Sequence, residues 1–343
     1  MLIVFEKLVG ISLGHKETDT RHIRLRENAP HLSLMLTPSD HELKHSENLE
    51  RKAYDFSTDE HGFLLPSLIH NNADLTVAFI GGSTTECMYV DADKRFHHLV
   101  SQSMSNDTYK VNTINAGVSG NDSLNSINAY LNKVIPIKPD IAILMHNIND
   151  ISTLLHEGSY WNNNEYRSPI IYQDTSLKAV IKSLLPNSFE LLHRVKATLA
   201  GPVDEFADDR GKTKAIDQQN IYRLFEENLD VFISISKAKG ITPILMTQAS
   251  RFTDTPDPVV VNRFKDLESL GINYTQFKAL FDGMNDRIRT VAEKHQIALI
   301  DLAKNIPPHK DYIVDTVHFN DDGSSLVASF ITEKLNEIHR EKP

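Results

Sequence analysis

From Leu75 onward, short apolar runs alternate with amphipathic stretches, and this rhythm constrains the fold more than any other feature of the chain. Leu75–Ile80 reads as a strand. Lys94–Met104 follows as a helix with Phe96, Leu99, Val100 and Met104 on one face. Val111–Ala116 is a second strand and Ser123–Val134 a helix, and Ile141–Met145 is apolar throughout, as a strand buried on both faces must be. The pattern continues with a helix over Asp217–Lys239, stopped by Gly240, and a strand at Ile241–Thr247. A helix over Tyr274–Lys294, a strand at Ile297–Leu302 and a closing helix over Ser324–His339 complete it. Five strands alternating with helices imply a parallel sheet covered on both faces and joined by right-handed crossovers. The expected class is α/β, a three-layer α/β/α sandwich around a five-stranded parallel sheet.

Two segments stand outside the rhythm. Residues 152–215 contain the only tryptophan, Trp161, the run Asn162-Asn163-Asn164 and an amphipathic stretch from Ser176 to Leu199, broken by Gly201-Pro202. They read as a largely helical insertion, of the kind that serves as a lid or a substrate-recognition element. Residues 1–72 hold five histidines before residue 46, acidic–basic alternations and little strand periodicity. They read as a helical and loop extension packed on a main domain spanning residues 73–343. Met1–Leu13 is apolar apart from Glu6, Lys7 and Ser12, too short to span a bilayer, and lacks the basic start and cleavage site of a signal peptide. It reads as an amphipathic segment, with the stub of a membrane anchor as the alternative. A cytoplasmic location is the expectation, with membrane association through the N-terminus as its rival.

Charge and cysteine content narrow the function. With 36 Lys and Arg against 46 Asp and Glu, the net charge of −10 argues against nucleic acid as a partner. A single cysteine, Cys87, excludes an intramolecular disulfide framework and a cysteine-based structural metal site.

Ligands of open parallel sheets bind beyond the carboxyl ends of the strands, and four loops at that edge carry reactive residues. The first, Gly81-Gly82-Ser83-Thr84-Thr85-Glu86, places a serine at the start of a helix, where backbone N–H groups lack intrahelical partners. A hydroxyl there can attack an acyl carbon while nearby N–H groups receive the oxyanion. Ser83 and Glu86 equally match a capping box, and the two roles are compatible. The second, Asn115-Ala116-Gly117-Val118-Ser119-Gly120, offers the Gly117 N–H, or a plain turn. In the third, His146-Asn147-Ile148-Asn149-Asp150, the Asn149 amide suits an oxyanion, although Asn149 or Asp150 also suits a helix cap. In the fourth, Asp315 stands three residues before His318, so its carboxylate can take the imidazole Nδ1–H and leave Nε2 free for a hydroxyl proton. Each signal has a bland reading. Together they are the parts of an acyl-transfer site.

The order and spacing of these blocks resemble the SGNH hydrolases, also called GDSL-type esterases and lipases. Gly81-Gly82-Ser83-Thr84 is similar to the first block, in its Gly-Gly-Ser-Thr variant, and Gly117 matches the second-block glycine. Ile148-Asn149-Asp150 resembles the end of the third block, and Asp315-Thr316-Val317-His318 the D-x-x-H of the fifth. The resemblance covers residues 75 to about 335. It implies a flavodoxin-like sheet, a triad of Ser83, His318 and Asp315, an oxyanion hole of Ser83, Gly117 and Asn149, and no metal or organic cofactor. Two positions depart from the family pattern: Gly82, where many members carry Asp, and Asn147, where glycine is usual.

The leading expectation is a carboxyl-ester hydrolase that removes a small acyl group, such as acetyl, from a small-molecule or carbohydrate ester. An O-acyltransferase with the same triad is the second reading, and a non-catalytic carbohydrate-binding or assembly protein on a hydrolase scaffold is the third. Other reactive residues read blandly. Cys87 is expected to face the core, His97 and His98 to diverge on a helix, and the N-terminal histidines, His45 among them, to be solvated. Trp161 and Tyr166 suit either a stacked sugar or an apolar clasp.

Overall fold

The structure is a computed structural model that describes residues 25–164, 166–169, 216–267 and 271–341. Its centre is a parallel sheet of β3 (Leu75–Gly81), β4 (Val111–Asn115), β5 (Ile141–Met145), β6 (Thr242–Met246) and β7 (Ala298–Ile300). The strand order is β4-β3-β5-β6-β7, so the chain steps outward from β3 to β4 and then crosses back to β5. That reversal opens a crevice beyond the carboxyl ends of β3 and β5.

The period-two alternation of each strand separates two cores. Ala78, Ile80, Ile114, Ala142, Leu144 and Leu245 face the helices Ile148–Glu157, Gln218–Ala238 and Tyr274–Lys294. Val77, Phe79, Val111, Ile143, Met145 and Ile244 face the helices Phe96–Met104 and Asp321–Glu341. Both faces are therefore covered, and the three-layer α/β/α architecture expected from the strand pattern is present.

Element boundaries differ from the sequence reading in instructive places. The closing helix starts at Asp321 rather than Ser324, because the Asn320 side chain accepts the Gly323 N–H at 2.8 Å and starts the helix earlier. The helix after β4 runs from Ser123 to Ala129 and continues through a π turn, Tyr130–Val134. Residues 152–157 belong to the helix Ile148–Glu157, which ends at Gly158 with φ +67°, so the interruption begins after Gly158 rather than at 152. The stretch 176–199 and Gly201-Pro202 lie outside the described residues, as does the apolar segment 1–13.

The described part of the extension is not only helix and loop. β1 (Ser33–Leu36) and β2 (Tyr54–Ser57) form an antiparallel ribbon, joined through a short helix, Asp40–Lys44. Four-residue strands with one face exposed leave too little alternation to read from sequence. Tyr54 and Phe56 are buried, and the following segment runs along the outer edge of β4. There the Leu64 N–H donates to Asn115 O at 3.0 Å and the Leu68 N–H to Thr113 O at 3.2 Å. Covering that edge removes a row of unpaired backbone groups.

Candidate active site

β3 ends at Gly81, where a side chain would meet Met145 O at 2.7 Å as well as the Thr85 side chain, so the strand can turn only on glycine. Gly82 is the N-cap of a single helical turn, Ser83–Glu86, and Cys87 closes it at φ +56°. No side chain caps this turn. The capping box expected from Ser83 and Glu86 is therefore absent. Glu86 is instead buried and turned sideways, accepting from Asn28 Nδ2 at 2.9 Å and from the Ser119 N–H at 3.2 Å, as well as from the Ser119 hydroxyl. Burial pushes its carboxyl above the usual range, against those donors and the charge of Arg95.

Ser83 Oγ lies 2.7 Å from His318 Nε2, and His318 Nδ1 lies 2.8 Å from Asp315 Oδ2. The loop bearing the pair is closed by a bridge between Ile313 and Phe319 and by the Val314 N–H donating to His318 O at 2.8 Å. Within it, Asp315 Oδ1 accepts the N–H groups of Val317 at 3.0 Å and His318 at 2.9 Å. Asp315 thus fixes its own loop with one oxygen and the imidazole with the other. Burial works against the Asp315 charge, but the His318 charge and these hydrogen bonds outweigh it and hold the carboxyl well below the usual range. Burial likewise lowers His318, and the adjacent Asp315 more than reverses this, lifting it above 6.5 while Arg263 pulls the other way.

The three expected oxyanion donors differ in availability. The Ser83 N–H is the first of a helical turn and has no acceptor among the described residues. Asn149 Nδ2 donates one hydrogen to Asn121 O at 2.8 Å and retains a second. A Cβ on Gly82 would stand 2.6 Å from that amide nitrogen, so Gly82 is what lets Asn149 approach the serine. The single N–H of Gly117 is already given to Asn115 Oδ1 at 2.9 Å. Gly117 also permits close packing, since a Cβ there would meet Glu86 N at 2.5 Å. Asn147, not Asn149 or Asp150, is the N-cap of the next helix, and it makes no side-chain cap. Its φ of −172° lies outside the left-handed region that favours glycine, so the φ at this position does not call for glycine.

Below Asn149 lies a buried polar cluster. Asp150 Oδ1 accepts the Ser123 N–H at 3.0 Å and the Tyr160 hydroxyl at 2.6 Å, while Asp122 accepts from Asn125 N and Thr153 Oγ1, each at 3.0 Å. Burial pushes both carboxyls up, and the charge of Asp150 adds to the rise at Asp122, so the pair keeps a proton where isolated aspartates have lost theirs. His146 Nδ1 is 3.4 Å from Asp150 Oδ2, but burial pushes that imidazole down to about 4. At neutral pH the contact is made by an uncharged ring and is not an ion pair.

Sequence reasoning missed several supporting residues. Gln248, beyond β6, donates to Thr84 Oγ1 at 2.7 Å and accepts the Ile148 N–H at 3.0 Å, joining the first and third blocks. Its place after a strand at the reactive edge was the available signal. Asn28 and Arg251 carried no such signal.

The residues expected to be inert are accounted for. Cys87 is buried and its thiol is pushed up to about 12, so it is not a nucleophile near neutral pH. His97 is buried against Pro66 O at 3.0 Å and pushed down to about 3. His41 and His45 do stand one helical turn apart, with ring centroids 4.3 Å from each other, a spacing the sequence reading overlooked. Among the described residues no group of three or more His, Cys, Asp or Glu is arranged to hold a metal ion. No helix among them is long and apolar enough to cross a membrane. Trp161 is 70% exposed and Tyr166 is 37% exposed.

Comparison with known proteins adds the following. Residues 79–326 match the GDSL-like Lipase/Acylhydrolase family. Among solved structures, the chain is similar to an acetyl xylan esterase at 17% identity, covering 76% of this chain and 98% of the other, with a TM-score of 0.44. It is similar to a lipase/acylhydrolase from Enterococcus faecalis at 17% identity, over 77% and 96% of the two chains, with a TM-score of 0.44. It is also similar to a catalytic mutant of an acetylxylan esterase from Geobacillus stearothermophilus at 14% identity, over 77% and 95%, with a TM-score of 0.46. No curated protein matches the chain.

Proposed function

Because the chain belongs to the GDSL-like Lipase/Acylhydrolase family, and so is a hydrolase acting on ester bonds, we propose that it works through an acyl-serine intermediate on Ser83. The observation that carries this reading is the unbroken line Ser83–His318–Asp315, with contacts of 2.7 and 2.8 Å. His318 Nε2 takes the Ser83 proton as Oγ attacks the ester carbonyl, and Asp315 stabilises the imidazolium that forms. The oxyanion is received by the Ser83 N–H and the free hydrogen of Asn149 Nδ2. Gly117 joins them only by exchanging Asn115 Oδ1 for the oxyanion. His318 then protonates the leaving alcohol, and water activated by the same imidazole releases the acid. The acyl group is small, such as acetyl, and the alcohol is a carbohydrate hydroxyl, a substrate class extended from the family resemblance.

Labelling with a serine-directed phosphonate, followed by mass mapping, tests the nucleophile. The label is expected on Ser83, and Ser83→Ala is expected to abolish turnover of p-nitrophenyl acetate. Full turnover by Ser83→Ala would refute the assignment. Comparing acetyl with longer acyl esters, and acetylated sugars with simple alkyl acetates, tests the substrate class. A preference for long acyl chains would remove it.

A further inference from the structure

The described part of the N-terminal extension reaches the loops around Ser83 and Gly117 on one side and the loop of Asp315 and His318 on the other, and it does so from outside residues 79–326, the span shared with the family. On the oxyanion side, Asn28 Nδ2 donates to Glu86 Oε1 at 2.9 Å and to Gly117 O at 3.3 Å. Glu86 ends the nucleophile turn and holds Ser119 through its other oxygen. Arg26 Nε donates to Asn121 Oδ1 at 3.2 Å, and Asn121 Nδ2 returns a bond to Arg26 O at 3.0 Å. Asn121 O is the acceptor that orients the Asn149 amide. Asn28 thus bonds the nucleophile turn directly, and Arg26 reaches an oxyanion donor through Asn121.

On the other side, the Glu47 N–H donates to Val314 O at 2.7 Å, and the Glu47 carboxylate takes Arg251 Nη2 at 2.6 Å. The Arg251 side chain is fully buried, and Asp257 shares its charge. Its Nη1 reaches Ile313 O and Val314 O at 3.3 and 3.4 Å, and its backbone N–H donates to Thr316 O at 2.8 Å. Four bonds from two residues therefore grip the loop 313–318 that carries Asp315 and His318. A buried guanidinium needs such partners, and removing one leaves part of its charge uncompensated.

A segment that served only to cover apolar surface would not need these contacts. That task falls to Tyr54, Phe56, Phe63 and Leu64, which are buried elsewhere in the extension. Hydrogen bonds are directional, and these end on the two loops whose relative placement sets the attack geometry. We infer that the extension is a positioning element of the active site: Asn28, through Glu86, holds the oxyanion loop, and Glu47, through Arg251, holds the histidine loop. This inference rests on the triad reading above. A displacement of about 1 Å at a reacting group can cost on the order of a hundredfold in rate, so loosening either grip acts on kcat rather than on substrate affinity.

The test uses the full chain with Asn28→Ala, Glu47→Gln and the double variant, assayed on p-nitrophenyl acetate with active sites counted by phosphonate titration. Asn28 and Glu47 are partly exposed, and Glu47→Asp, which keeps the charge but shortens the arm, serves if Glu47→Gln lowers the folded fraction. Each single variant is expected to lower kcat by roughly five- to thirtyfold with KM within about twofold. The double variant should show the product of the two losses, because the grips act on separate loops. Wild-type kcat with a lowered melting temperature would reduce the extension to a stabilising role, and a raised KM at constant kcat would make it a substrate contact. Either outcome overturns the inference. Ser83→Ala is run in parallel: retained turnover there sinks the triad reading itself, whereas a dead Ser83→Ala beside fully active Asn28→Ala and Glu47→Gln sinks only this inference.

Discussion

At Asp315 one carboxylate serves two purposes. It fixes the Val317–His318 backbone with Oδ1 and the imidazole with Oδ2, and its charge lifts His318 above 6.5. In the proposed mechanism His318 must be neutral to accept the serine proton. We therefore expect kcat/KM to rise with pH through a value above 6.5 and to flatten beyond it. Asp315→Asn removes the charge and the preferred tautomer. It should lower kcat by about four orders of magnitude, as that change does in a Ser–His–Asp triad, and move the remaining acid limb to lower pH. A pH–rate profile checks both, and an unmoved limb would show that Asp315 does not set the His318 equilibrium. Gly82 is the second decisive residue. A methyl group there would press on the Asn149 amide, and a side-chain amide can move aside at little cost in stability. Gly82→Ala is thus expected to lower kcat by roughly tenfold to a hundredfold, part of the loss for an absent oxyanion donor, with an unfolding midpoint near that of the wild type. Unchanged kcat would mean that Asn149 does not receive the oxyanion.

Between elements, the loops after β3, β4 and β5 are tied together below the serine by polar groups rather than by apolar packing. Gln248 spans the first and third blocks, and the Asp122–Asp150 pair joins the helices that follow β4 and β5. That pair has a consequence for stability. Both carboxyls are raised above their unfolded value of 3.8, so the folded state binds more protons than the unfolded one over the interval between. Their contribution is fully present below 3.8 and is lost as pH rises through the folded values. Asp122→Asn keeps an acceptor for the Asn125 N–H while removing the like charge beside Asp150. Urea unfolding from pH 4 to pH 7 is expected to show a shallower decline in this variant, by on the order of 1 kcal/mol or more across the range. Identical slopes would show that the pair ionises freely in the fold.

Over the whole molecule, the fold was legible where burial is strong and periodic. β5 and the helix Tyr274–Lys294 fall at the residues expected, because apolar runs and amphipathic stripes report burial locally. The ribbon of β1 and β2 was not legible, since its strands are short and half exposed. The same division runs through the site. Ser83, Asn149, Asp315 and His318, the residues of the proposed site, could be picked out because each follows a strand or precedes a helix at one sheet edge, so position along the chain implied position in space. Glu86 was misread as a cap because S-x-x-E is satisfied by local spacing, whereas the donors it meets come from Asn28 and Ser119. Asn28, Glu47 and Arg251 had no local pattern at all. The sequence by itself determined the layered α/β sandwich and the sheet edge that gathers the groups of the proposed site, because hydrophobic periodicity and strand-end loops are properties of neighbouring residues. Only the tertiary structure decided which N–H groups are free, which carboxyl keeps its proton and which distant residues hold the reactive loops, because hydrogen bonds and desolvation depend on partners that the chain brings together only by folding.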